Sequence, residues 1–185
     1  RAQARFAPLG GGPIVAELLN APMFMQVRYA GPADTLWRLS GVEVFDLSGP
    51  IAVGADISGR LIDPTIRGSI RSENARIESA VTGMVIDALN VDARFAGPRL
   101  VFSRLGGTTS GGGTVSGSGA VTFAGGRTAL DLKFDAANAL LLNRDDIAAR
   151  VTGPVTIRSD GRTGKIAGDL RLDKGQFRLG RASTA

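Results

Sequence analysis

Two adjacent aspartates, Asp145-Asp146, a glycine-rich run from Gly106 to Gly113 and the isolated carboxylates Glu73, Glu78 and Asp87 are the groups in this chain whose types could do chemistry. Paired carboxylates serve acid–base work only when they converge, and neighbours on a strand point to opposite faces. On a turn Asp145 and Asp146 could converge, but a solvated turn or cap is by far the better account. The run Gly106-Gly-Thr-Thr-Ser-Gly-Gly-Gly113 has no lysine and opens a strand instead of a helix, unlike a phosphate loop. The chain contains no His and no Cys. That removes the commonest metal ligands, the usual nucleophile–base pairs and any disulfide. No enzyme, metal site or cofactor is expected.

The rest of the chain is pattern. Ile51, Val53, Ala55, Ile57 and Leu61 share one parity up to the Asp63-Pro64 turn, and Ile66, Gly68 and Ile70 start a return strand. The same period of two runs through Ala75, Ile77 and Val81, then Leu89, Val91, Ala93 and Phe95, then Leu100 and Phe102. It continues in Val115 to Phe123, Leu130 to Phe134, and Ile147 to Ile157. Asp160-Gly161 and Lys174-Gly175 read as turns, flanking Ile166, Leu170 and Leu172 and leading into Phe177 and Leu179. Such alternation, broken by Gly, Asp or Asn, signals antiparallel strands with one apolar face. Earlier, Ile14 to Leu18 and Met23 to Tyr29 read as strands, and Trp37 as a core or edge anchor. Ala136 to Ala149 is the one helix candidate, short and flanked by renewed alternation.

Residues 1–12 read as a linker or frayed first strand and 13–185 as a repetitive β domain, with the missing initiator Met and the tail from Arg181 to Ala185 favouring a piece of a longer chain. The formal charge of +5 comes from arginines spread singly along the strands. That distribution suits a solvated outer face or weak attraction to anionic membranes, and not nucleic acid, which is bound by clustered charge interleaved with stacking aromatics. No apolar run reaches the length of a membrane-spanning helix.

An internal repeat organises the strands. Gly68-Ser-Ile-Arg-Ser-Glu-Asn-Ala-Arg-Ile-Glu matches Gly168-Asp-Leu-Arg-Leu-Asp-Lys-Gly-Gln-Phe-Arg class for class at most positions, and Gly49-Pro-Ile-Ala-Val pairs with Gly153-Pro-Val-Thr-Ile. A weaker third copy runs from Gly119 to Leu132. Strand–turn–strand units with almost no helix imply a stacked meander or solenoid-like sheet. Its apolar face must then be hidden by the sheet itself. A closed sandwich and an open U with an apolar groove both satisfy the composition. The face carries Ile, Val, Ala, Leu and Phe without obligatory polar groups, which suits an acyl chain better than a polar ligand.

Several segments resemble the C-terminal part of the TamB family, related to the AsmA-like proteins: Asp46-Leu-Ser-Gly-Pro-Ile-Ala, Asp63-Pro-Thr-Ile-Arg-Gly-Ser-Ile-Arg, Leu142-Asn-Arg-Asp-Asp-Ile147, and Val151-Thr-Gly-Pro through Gly180. The resemblance extends from about Gly31 onward. It implies an all-β, elongated, curved antiparallel sheet, the U-shaped β-taco, with an apolar concave face. It also implies a periplasmic location in a Gram-negative bacterium, anchored in the inner membrane by parts outside this sequence. The implied partners are phospholipid acyl chains, carried from inner to outer membrane, and TamA, an Omp85-type outer-membrane barrel.

On this basis Ile51, Val53, Ile57, Ile70, Ile77, Val91, Phe95, Val121, Phe123, Leu132, Val155, Ile157, Leu170 and Phe177 are expected to line a groove for acyl tails. The alternative is a chaperone that offers open sheet edges to nascent outer-membrane strands by β-augmentation. A structural spacer is a third expectation.

Overall fold

Twelve strands and one short helix account for nearly all of the described residues, 1–6, 21–39, 45–60, 63–124 and 127–178, of a computed structural model. The strands are β1 (Ala2–Phe6), β2 (Pro22–Pro32), β3 (Phe45–Ser48), β4 (Pro50–Arg60), β5 (Asp63–Ser79) and β6 (Val85–Ala96), followed by β7 (Arg99–Thr109), β8 (Thr114–Ala124), β9 (Arg127–Asn143), β10 (Ile147–Ser159), β11 (Gly164–Gly168) and β12 (Arg171–Phe177). The helix, α1, spans Ala33–Leu39. The expected strand at Ile14 to Leu18 and the turn at Gly125-Gly126 lie outside the described residues.

All strands join one antiparallel sheet in the order β1-β2-β4-β5-β6-β7-β8-β9-β10-β11, with β3 beside β5 and β12 beside β10. Because the chain forms a meander, each strand is placed by its neighbour in sequence. The first strand is paired with β2 along all of Ala2–Phe6. The helix candidate, Ala136 to Ala149, is instead the second half of the 17-residue β9 up to Asn143, then a turn and the start of β10 at Ile147. Alanine and leucine there fill cross-strand positions against β10, and packing overrides helix propensity. Lys174-Gly175 is not a turn but the interior of β12, opposite Arg150 and Ala149. Val81 falls in the β5–β6 turn and is exposed.

The strands bend where their pairing slips. Register shifts fall between Ser72 and Ala75, Asp87 and Asn90, Phe102 and Leu105, and Val151 and Gly153. Asn74, Ala88 and Asn138 adopt positive φ at these breaks. Bulges of this kind bend a strand and increase its twist. The sequence repeat has a counterpart here: Gly49-Pro50 faces the Asn74-Ala75 bulge, and Gly153-Pro154 faces the break at Asp169-Leu170.

One edge of the sheet is drawn together. In a flat sheet the β5–β6 and β9–β10 turns would be roughly 19 Å apart. Here Asn143 N–H donates to the Thr82 carbonyl at 2.8 Å and Arg144 Nη1 to the Val81 carbonyl at 3.2 Å. Past the end of β8, Leu140 N–H reaches Thr109 Oγ1 at 3.0 Å, and Arg150 spans the carbonyls of Gly111, Gly112 and Asn138 at 2.8–3.0 Å. The sheet is therefore curved. Leu47 of β3 and Val115 of β8 belong to one cluster with Ala75, Ile77, Ile86, Leu89, Val91 and Leu105, which puts the apolar face on the concave side.

The curve does not close into a sandwich. Among the described residues, eight of the twelve buried apolar ones are alanines, and the largest fully buried side chain is Thr109. A single bent layer buries small residues in its crease and leaves large ones half exposed.

Glycines set the limit of the bend. Gly68, Gly119 and Gly153 have φ of 154°, 147° and 142° in mid-strand, a region open essentially to glycine alone. A Cβ at each would collide with a neighbouring carbonyl, of Gly54, Asp131 and Asp169 respectively. Gly97, with φ 61°, faces open space. Gly119→Ala is expected to lower the unfolding free energy by about 3 kcal/mol and Gly97→Ala by about 1 kcal/mol, measured by urea denaturation.

Candidate functional site

Directly opposed residues of an antiparallel sheet project from the same face. Following the pairing from strand to strand, one line on the concave face runs Tyr29, Val53, Ile70, Ala93, Phe102, Gly119, Leu132, Ile157 and Ile166. It crosses nine strands without a charged residue. At about 4.8 Å per strand it is about 38 Å long. A parallel line runs Val27, Ala55, Gly68, Phe95, Leu100, Val121 and Leu130. A third runs Ser72, Val91, Leu105, Gly117, Phe134, Val155 and Gly168. Phe134 leans over Gly117, where a Cβ would meet its ring.

Of the fourteen residues expected to line a groove, Val53, Ile70, Leu132 and Ile157 lie in the first line, Phe95 and Val121 in the second, and Val91 and Val155 in the third. Ile51, Ile57 and Phe123 extend the same face, opposite Gly31, Ile66 and Thr128. Ile77 and Val91 pack against the buried cluster, so they serve the crease of the sheet. Leu170 falls between β11 and β12, off the strands. Phe177 stands opposite Ile147 at the end of β12 and is 66% exposed. The groove set drawn from the sequence omitted Tyr29, Phe102 and Phe134, which have the parity of their strands, and Leu105, whose parity is changed by the bulge between Phe102 and Leu105.

The other face is charged, and several of its charges pair. Arg28 meets Asp56 at 2.8 Å, Arg76 meets Asp87 at 2.7 Å and Glu78 at 3.1 Å, and Arg158 meets Asp131 at 3.4 Å. The hydrogen bonds that Arg76 donates to Asp87, then to Glu78, raise its pKa. Asp173 accepts hydrogen bonds from the Thr152 hydroxyl and Arg171 Nε, which lower its pKa in that order of effect. Asp145 and Asp146 occupy the exposed β9–β10 turn, with Asp146 4.0 Å from Arg144 Nε. Among the described residues no group of acidic side chains is arranged to hold a metal ion.

The helix α1 does not cover the concave face. It packs at the margin beside β3, where Trp37 Nε1 donates to the Phe45 carbonyl at 2.6 Å. No described helix is long and apolar enough to cross a membrane.

A curved, single-layer antiparallel sheet with one charged face and one apolar face that no described element covers defines a groove-forming all-β protein. Residues 103–185, from the middle of β7 to the end of the sequence, match the family model of the TamB C-terminal domain. That match supports a TamB-family assignment for this part of the chain, with a role in transport and assembly at the bacterial envelope. No curated protein and no solved structure is significantly similar to it.

Burial varies along the first line, from Ala93, fully buried, to Ile166, 73% exposed. Ala93→Asp is expected to cost more than about 3 kcal/mol of stability, because the charge would be buried unpaired, and Ile166→Asp less than about 0.5 kcal/mol. Thermal unfolding of the two variants at equal concentration checks this.

Proposed function

We propose that this chain is a segment of a periplasmic bridge whose concave face holds phospholipid acyl chains as they pass between the inner and outer membranes. The observation that carries this reading is the uninterrupted apolar line from Tyr29 to Ile166, half exposed along most of its course. Its length of about 38 Å exceeds the roughly 15 Å depth of one leaflet's hydrocarbon, half of a bilayer core of about 30 Å. Burial of methylenes at about 0.8 kcal/mol each supplies the attraction. The lining has almost no polar side chain to fix one position, so a chain can slide along it. The role is non-enzymatic, and TamA is the outer-membrane partner in this scheme.

A second reading rests on the far edge of the sheet. Every residue from Asp160 to Arg178 is exposed, including Ile166, Leu172 and Phe177. The outer edges of β11 and β12 have no strand partner among the described residues. Such an edge suits a chaperone that pairs with strands of outer-membrane proteins by β-augmentation.

Val53→Asp and Ile157→Arg place a charge in the middle of the apolar line and are expected to abolish lipid transport in cells while the protein still accumulates. Assembly of outer-membrane proteins should be affected only later, as lipid supply fails. Normal lipid transport by both folded variants overturns the conduit. Crosslinks of β12 backbone positions to unfolded barrel strands, insensitive to these charges, favour the chaperone.

A further inference from the structure

The residues that alternate with the apolar lines project from the convex face, and towards the β6–β7, β8–β9 and β10–β11 hairpins that face is cationic. One convex line runs Arg94, Val101, Ala120, Asp131, Arg158 and Lys165, from β6 to β11. The next line outward runs Arg67, Ala96, Arg99, Thr122 and Ala129. Arg127 stands two residues before Ala129 and shares this face. A Cβ on Gly161 would lie 3.0 Å from Arg127 Cβ, so the β10–β11 turn, with Arg162, rests against the start of β9.

Seven cations therefore lie on these two lines, at the start of β9 and in the β10–β11 turn, against two acids, Asp131 and Asp160. Both acids are engaged. Asp131 is 3.4 Å from Arg158, and Asp160 Oδ1 accepts from the Arg162 and Thr163 amides, each at 2.8 Å. Arg67, Arg94, Arg99, Arg127, Arg162 and Lys165 are exposed, and their side chains form no ion pair or hydrogen bond with another described residue. At the other end of β5 and β6 the convex charges are paired, Arg76 with Asp87 and Glu78. A hollow of about 550 Å³ opens among the free cations, its lining including Arg99, Thr122, Arg158 and Lys165.

The spacing decides what fits. Arg99 and Lys165 are four strands apart, about 19 Å, and the set from Arg67 to Lys165 spans about 29 Å. A single small anion reaches only one or two of these groups. A planar bilayer meets a convex surface along one strip, and the largest apolar side chain on these lines is Val101, 39% exposed, which leaves little to insert at a membrane interface. Neither line carries an aromatic on which a nucleic-acid base could stack. An extended peptide with a carboxylate at every second residue carries one charge per about 6.6 Å, follows the curve and meets cations about 5–10 Å apart.

We propose that this convex patch docks an extended acidic segment of a partner protein, whose aspartates and glutamates pair with the free guanidinium and ammonium groups. The patch lies on the face opposite the acyl groove. The proposal goes beyond the lipid reading and does not depend on it.

The test titrates the full-length protein into a fluorescent peptide of alternating Glu and Ser, long enough to cover about 30 Å when extended, and follows its anisotropy at low salt. Wild-type protein is expected to bind this peptide, to lose it as ionic strength rises and to ignore the Gln-Ser counterpart. Arg99→Gln/Arg127→Gln/Lys165→Gln should weaken binding about tenfold. Arg5→Gln/Arg38→Gln/Arg178→Gln removes equal charge from exposed positions elsewhere and should weaken it less than about twofold. No binding of the acidic peptide, or equal loss in the two variants, overturns the proposal. So does binding of phosphatidylglycerol vesicles that the first variant abolishes and the peptide fails to displace, which assigns the patch to a membrane surface.

Discussion

Cross-strand register is the constraint on which this structure depends. A slip of one residue in any pair would send the apolar set to the wrong face. The strands are long, and they slip repeatedly at bulges, yet after each shift apolar residues again stand opposite one another: Val91 with Leu105, then Ala93 with Phe102. Each bulge takes up one or two residues and bends the strand without exchanging its faces. Curvature and a continuous apolar surface thus arise from the same local feature. Glycines at positive φ permit it where a side chain would strike the neighbouring carbonyl.

The same constraint explains the burial. In most domains an apolar sheet face is covered by helices or by a second sheet. Here the only described helix lies at the margin, and the cluster around Ala75, Ile86 and Leu89 fills the crease alone. The β5–β6, β7–β8 and β9–β10 turns gather at one edge. Stability comes from ladder hydrogen bonds and small buried residues, and no described element covers the large side chains of the face.

Much of this was legible in the sequence because a period of two needs no knowledge of partners. Val53, Ile70, Leu132 and Ile157 were placed on one face by parity alone, and the Gly49-Pro50 and Gly153-Pro154 repeat marked two equivalent strand breaks. The bulges were not legible. Asn74, Ala88 and Asn138 take their backbone conformations from neighbouring strands, and no local signal sets an alanine at positive φ. α1 was missed because seven residues are too few to show a helical period, although Asp34 and Arg38 complement its dipole. Ala136–Leu142 misled in the other direction, since its helix-forming residues serve a strand between two long partners.

The measurement that bears most directly on the account compares adjacent residues on opposite faces. A photo-reactive amino acid placed at Leu132, on the concave line, or at Lys133, on the charged face, can be activated in living cells and its adducts identified. The account predicts phospholipid adducts at 132 and none at 133. Equal lipid labelling at both positions, or none at 132 in a protein that folds and functions, would contradict it.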